Sequence, residues 1–158
     1  MGSFTVTSTV DAPRAAVWER VTSFSGVNGE LMPWMRMTPP RRWRDARIDT
    51  VPTGVPLGRG TTWYLGFMPL DYDWMSLAEV VPGVSFHEVS TMGTMRHWEH
   101  RRTLEPTGDG VGTRVTDVIV FQPRLAFTEA ATGRILRALF AHRHRRLAAH
   151  FRSVLRGQ

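Results

Sequence analysis

Histidine, aspartate and arginine side chains fall at spacings where they could act together, provided the elements carrying them are strands and one long helix. Residues 96–105 and 113–122 alternate apolar with polar positions around Thr107-Gly-Asp-Gly-Val-Gly112, a turn-forming stretch, so they read as a β-hairpin. Pairing Glu105 near Gly112 sets His100 opposite Asp117, Trp98 opposite Ile119 and Arg102 opposite Val115. Leu104 and Phe121 join that face, which is the better candidate for the interior, so His100, Arg102 and Asp117 project inward. A slip of one residue would reverse every assignment. A carboxylate fixes the tautomer of a neighbouring imidazole and raises its basicity, which makes His100–Asp117 a candidate catalytic pair built around a general base. The same pair is equally what a satisfied buried contact requires, and no nucleophile or second acid stands with it.

Other polar residues are read the same way. Arg143 and His144 intrude on the apolar side of the C-terminal segment, Arg143 near its centre and His144 at its edge. Arg143 there suits a carboxylate or enolate oxygen of a ligand, or else an internal acid such as Asp117, or a snorkelling role at a cavity rim. Asp71 and Asp73 share a strand face beside a turn, where solvated charge is ordinary. His142 and His144 point in different directions on a helix, and His97 and His100 lie on opposite strand faces. With no cysteine in the chain, neither a metal site nor any cofactor is expected.

These side chains need a scaffold. Phe4 to Val10 alternates and is β-branched, hence a strand; Asp11-Ala-Pro13 supplies an N-cap and a first-turn proline for a helix ending near Ser23. Phe24 to Leu31 suggests a second short helix. Pro33 to Arg44 reads as a loop, Arg44 to Val51 as a strand and Pro52 to Gly60 as another loop. Thr61 to Met68 and Asp71 to Val81 are strands joined at Pro69-Leu70, and Pro82-Gly83 marks a turn before Ser85 to Thr91. Ala130 to Leu155 reads as a helix of about 26 residues, roughly 39 Å long, with Leu136, Phe140, Leu147, Phe151 and Val154 on one side. One strand, two short helices, six strands and a terminal helix make an α+β order, not βαβ alternation. A single antiparallel sheet must bury one face, and the long helix is the element able to cover it. The expected architecture is a helix-grip fold: a curved antiparallel sheet wrapped around a long C-terminal helix.

The chain has 158 residues, 42% apolar and 22% charged, which suits one globular domain over 1–158. No stretch approaches a membrane span and the first ten residues do not form a signal peptide, so the expected location is cytoplasmic. All 20 basic residues are arginine. Residues 123–158 hold eight of them against Glu129 alone, while the first 122 residues are nearly balanced, so the net charge of +6 belongs to the C-terminal segment. An arginine-rich terminal helix is more often a solvated face than a nucleic-acid surface, and nucleic acid is not the expected partner.

Val10-Asp-Ala-Pro-Arg-Ala-Ala-Val-Trp18, Gly60-Thr-Thr-Trp63, Val81-Pro-Gly-Val-Ser-Phe86, Trp98-Glu-His-Arg-Arg-Thr-Leu-Glu-Pro106, Gly112-Thr-Arg-Val-Thr-Asp117 and Leu139-Phe-Ala-His-Arg-His-Arg-Arg-Leu147 together resemble the START-related SRPBCC superfamily, in its polyketide cyclase/dehydrase-like branch. The resemblance runs almost the full length. It implies a cavity between sheet and helix, but not which ligand occupies it, because the superfamily includes carriers, receptors and aromatases.

The primary expectation is binding or transport of a small hydrophobic molecule, such as a lipid, polyketide or isoprenoid. Its site would draw Trp63, Trp98, Arg102, Ile119 and Phe121 from the sheet. From the helix would come Leu136, Phe140, Arg143, His144, Leu147 and Phe151. Trp34, Met35, Met37, Trp43, Met68, Trp74 and Met75 add large pliable groups suited to such a lining. The alternative is a polyketide cyclase, aromatase or dehydratase in which His100 or His144 moves protons. A third reading is an interaction module docking through the basic helix.

Overall fold

The computed structural model describes residues 1–108 and 110–156. A first strand, β1 (Gly2–Val10), leads into α1 (Arg14–Thr22) and α2 (Phe24–Leu31). The strands β2 (Met35–Thr38), β3 (Pro56–Tyr64), β4 (Met68–Val81), β5 (Ser85–Met92), β6 (Met95–Pro106) and β7 (Thr113–Pro123) follow, and α3 (Glu129–Arg156) closes the chain. All strands join one sheet in the order β1-β7-β6-β5-β4-β3-β2, with every neighbouring pair antiparallel. The sheet holds α3 against β1 and β7, which is the helix-grip arrangement expected from the sequence.

Local chemistry explains most boundaries. In β1, Phe4 and Val10 are buried while Thr5, Thr7 and Thr9 face solvent, the alternation of a strand with one buried face. Val17, Trp18 and Val21 are the buried stripe of α1. Pro13, not Asp11, occupies its N-cap position, and no side chain caps it there. Ser23 ends α1 and begins α2, its Oγ accepting from the Gly26 N–H at 3.0 Å, a standard N-cap bond.

Four segments differ from the sequence reading, among them the expected loop Pro52 to Gly60, since β3 already begins at Pro56 and pairs with β4 from there. Arg44 to Val51 is not a strand: 3₁₀ turns occupy Arg41–Trp43 and Ile48–Thr50. Its polar side chains bond locally instead. Thr50 Oγ1 accepts from the Arg47 N–H and donates to the Arg47 carbonyl, and Asp49 accepts from Arg47 and from the Trp18 indole. Such bonds compete with a ladder. Within the expected loop 33–44, Met35–Thr38 instead forms β2, paired with β3 and held to α2 by Asn28. The Asn28 side chain donates to the Met37 carbonyl at 3.0 Å and accepts from its N–H at 2.7 Å. The β3–β4 turn falls at Leu65 and Gly66, with φ of 51° and 81°, the left-handed pair that tight hairpins favour. Pro69 lies inside β4, beside a register shift at Thr62/Trp63, where a strand tolerates proline.

Two clusters lie against α3. One contains Phe4, Trp98, Ile119, Phe121, Leu136 and Phe140; the other contains Val10, Val17, Trp18, Val21, Phe86, Leu104, Val115, Leu147 and Phe151. Gly133 allows the first to close, since a Cβ there would come within 3.1 Å of the Phe121 ring. A third cluster, Val51, Leu57, Met75 and Leu77, lies under the 3₁₀ segment. Phe140 is 1% exposed and Phe127 is 84% exposed. Phe140→Ala should therefore lower unfolding stability by about 3–5 kcal/mol. Phe127→Ala should change it by less than about 0.5 kcal/mol in the same urea titration.

Candidate functional site

The β6–β7 hairpin pairs Arg102 with Asp117, His100 with Ile119 and Trp98 with Phe121. The register is therefore shifted by two residues from the expected one. A shift of two preserves the faces, so His100, Arg102 and Asp117 all point inward as anticipated. It changes the partners, however, and places Arg102 directly across from Asp117.

That pairing seeds a buried network. Arg102 donates through Nε to Asp117 Oδ1 at 2.7 Å and through Nη2 to Asp117 Oδ2 at 2.6 Å, the two-pronged geometry guanidinium and carboxylate favour. Its Nη1 donates to both oxygens of Glu30, at 2.9 and 3.0 Å. Arg143 donates from α3 to Glu30 Oε2 at 3.1 Å. His100 Nε2 lies 3.0 Å from Asp117 Oδ1, and His144 Nε2 lies 2.9 Å from Oδ2. An ionised carboxylate only accepts, so both imidazoles carry their proton on Nε2. His144 Nδ1 lies within hydrogen-bond distance of the Ser8 hydroxyl, at 2.6 Å. The network thus joins β1, α2, β6, β7 and α3.

Charge and burial explain its ionisation. Burial pushes the Asp117 carboxyl upward, but the Arg102 charge and then His100 outweigh it and hold Asp117 well below the usual range. Glu30 follows the same logic: burial raises it, and Arg102 and Arg143 bring it below the ordinary value. Arg102 is raised, because Asp117 and Glu30 together overcome its burial. His100 is lowered, chiefly by burial, with Asp117 opposing and Arg143 and Arg102 adding to the effect. Two guanidiniums balance two carboxylates. The Ser8–His144–Asp117 chain has the connectivity of a hydrolytic triad, yet its carboxylate is shared with Arg102 and His100, so it does not serve one histidine. Arg143 is committed to Glu30, the internal-acid alternative for that residue.

The other expected residues are placed as follows. Trp98, Ile119, Phe121, Leu136, Phe140, Leu147 and Phe151 are all buried between sheet and helix, where they contact one another as core. Phe86 and Phe140 hold the His100 ring edge-on, with centroids 5.4 and 5.2 Å away. Trp63 lies on the opposite face of β3 from buried Thr62, its indole donating to Thr38 Oγ1 at 2.9 Å. Trp34, Met68 and Trp74 are exposed.

An apolar cavity lies elsewhere on the inner face, between β3–β5 and the 3₁₀ segment. Phe24, Trp43, Ile48, Val51, Leu57, Met75, Leu77 and Phe86 line it, with Glu88 in its wall. Its volume is about 30 Å³, the space of one or two water molecules. Asp73, read from sequence as solvated, is 1% exposed and shares the inner face of β4 with Met75 and Leu77. Burial, followed by the neighbouring Glu88 charge, holds its carboxyl well above the usual range. Sequence reasoning missed Glu30, Ser8 and Glu88. Glu30 alone carried a signal, an acid within the Val27–Leu31 stripe of α2.

Replacing Arg102 by Met would leave Glu30 and Asp117 buried with one cation between them, and should cost about 3–5 kcal/mol in chemical denaturation. The wild type should lose stability as pH falls. His100 binds its proton more weakly folded than unfolded, so its contribution is complete above 6.5 and declines below it. Glu30 and Asp117 add to the loss once pH passes below the ordinary carboxylate values of 4.5 and 3.8. His100→Gln should flatten the first part of that decline, between about pH 7 and 5, and leave the second.

Solved structures share the fold at low sequence identity. Protein CV1439 from Chromobacterium violaceum superposes with a TM-score of 0.71 at 15% identity, covering 94% of this chain and 96% of that one. A START superfamily protein from Mycobacterium smegmatis gives 0.68 at 10% identity, covering 96% and 98%. The di-domain ARO/CYC protein BexL from the BE-7585A biosynthetic pathway gives 0.63 at 15% identity. It covers 94% of this chain, which spans about half of BexL, 46%. No curated protein matches the sequence. No described helix is long and apolar enough to cross a membrane. The fold is thus that of the START and polyketide-cyclase-like proteins, and by sequence the chain belongs to the family described as a domain of unknown function, DUF8410, whose model matches residues 8–151.

Proposed function

We propose that this protein binds a small hydrophobic molecule in the apolar cavity between β3–β5 and the segment 40–51, without catalysing a reaction on it. The observation that carries this reading is how the polar groups are spent. His100, Arg102, Asp117, Glu30, Arg143 and His144 bond to one another. The cavity between β3–β5 and the 3₁₀ segment is lined by apolar side chains apart from Ser76 and Glu88. Affinity would come from apolar burial, at about 25 cal/mol per Å² before the costs of association.

The cavity is small as it stands, so a ligand enters by displacing its cover. That cover is the 3₁₀ segment, attached through Trp43 Nε1 to the Leu57 carbonyl at 3.0 Å and through Asp49 to Trp18 at 2.8 Å. A few such bonds are the kind of local attachment that opens below the global unfolding free energy.

The enzymatic reading draws on the likeness to BexL and on the inward His100 and Asp117. Against it stands the fact that Asp117 receives four hydrogen bonds and already has Arg102 as its counter-charge. Native mass spectrometry of the purified protein, followed by extraction of any passenger, tests the binding reading. A hydrophobic species should be carried by the wild type and by His100→Gln, and lost from Leu57→Trp, which fills the cavity. Turnover abolished by His100→Gln, with ligand affinity intact, would overturn the noncatalytic reading.

A further inference from the structure

The buried network neutralises itself, but a second polar group on the same inner face does not. Asp73 is 1% exposed, and neither of its carboxyl oxygens has a hydrogen-bond partner among the described residues. Glu88 and Ser90 of β5 lie beside it. Ser90 has one hydroxyl proton and gives it to Glu88 Oε1 at 2.8 Å, so that proton is not available to Asp73. Asp71, on the same strand face, is occupied with the β5–β6 turn, accepting from the Tyr72 and Thr94 backbone N–H groups and the Thr94 hydroxyl. Asp73 and Glu88 therefore form a pair of inner-face carboxyl groups with no counter-charge among the described residues, and burial together with that lack keeps the Asp73 carboxyl raised toward its protonated form. A cation placed between them would let both ionise and would recover the free energy that the unpaired site costs.

Its surroundings define the donor. Along β4, Asp73 precedes Met75 and Leu77 on one face, and those two residues line the apolar cavity together with Glu88. Two carboxyl groups thus stand at one end of an apolar wall. The buried cations are committed elsewhere, Arg102 to Asp117 and Glu30, and Arg143 to Glu30. A carboxylate-ended ligand would meet like charge here, and a hydroxyl would bring a single donor. A primary ammonium brings three donors and the compensating charge.

We infer that the ligand of this cavity is a small hydrophobic amine, its ammonium held by Asp73 and Glu88 and its apolar body lying against Trp43, Leu57, Met75 and Leu77. The inference rests on the hydrophobic-binding reading and adds the chemical class of the polar end. It departs from one of the sequence alternatives, in which Arg143 would bind an anionic end.

Calorimetric titration of the full chain with hexylamine, hexanol and hexanoate tests it, since the three share one apolar body. Hexylamine should bind about tenfold or more tighter than hexanol, with hexanoate weakest. Asp73→Asn, close to isosteric, should remove the amine preference and leave hexanol binding within about threefold. Glu88→Gln should reduce the same preference and serves as the second variant if Asp73→Asn does not fold by circular dichroism. Equal binding of all three probes, unchanged in both variants, would overturn the amine assignment while leaving hydrophobic binding standing. So would preference for hexanol or hexanoate. Failure of all three probes to bind would overturn the binding reading itself, and the amine assignment with it.

Discussion

The Arg102 guanidinium is the interaction on which the rest of this structure depends. It is 1% exposed and uses Nε, Nη1 and Nη2 to hold Asp117 of β7 on one side and Glu30 of α2 on the other. Removing an ion from water costs several kcal/mol even after relaxation, and only good geometry with full satisfaction offsets it. Lysine, a compact point charge without the fork, could not reproduce this contact. The interior of the grip is consequently fixed by charge balance as much as by shape: α2 and α3 close over the sheet only where Glu30 and Arg143 complete the set.

How far the sequence announced this can be judged residue by residue. The inward face of the hairpin was legible, because the apolar residues Trp98, Leu104, Ile119 and Phe121 mark it regardless of partner. The partners were not, since the loop 107–112 admits registers differing by two residues, all with the same faces. The stripe on α3 was legible for the same reason of periodicity, including Arg143 and His144 within it. Glu30 was the missing counter-charge. Its place within the apolar stripe of α2 hints at burial, but nothing local shows the cation from β6, 72 residues away in the chain, that reaches it.

The failures around residues 33–51 and at Asp73 share a different cause. Local side chain–backbone bonds at Arg47, Asp49 and Thr50 override a weak strand pattern, and a distant Asn28 stabilises a strand only four residues long. Asp73 looked solvated because it follows a proline beside a presumed turn. Once that turn is moved back to Leu65–Gly66, Asp73 lies well inside β4 and its burial follows from alternation with Met75 and Leu77. One misplaced turn thus changed the apparent chemistry of a residue eight positions further on.

The two halves of the inner face are therefore covered differently. Over β1, β7 and β6 the cover is α3, a helix whose inward polar groups are all matched by others. Over β3, β4 and β5 it is the 3₁₀ segment, resting on Val51, Leu57, Met75 and Leu77 beside a carboxyl that nothing matches. A half that is fully satisfied offers a ligand nothing, whereas one holding carboxyl groups without a counter-charge under a thin cover is the half on which the binding proposal rests. The bonded Arg102 half gives the proposed opening of the other half a fixed wall. The proposed ligand site accordingly falls on β3–β5, away from the His100–Asp117 pair that the hairpin first brought to notice.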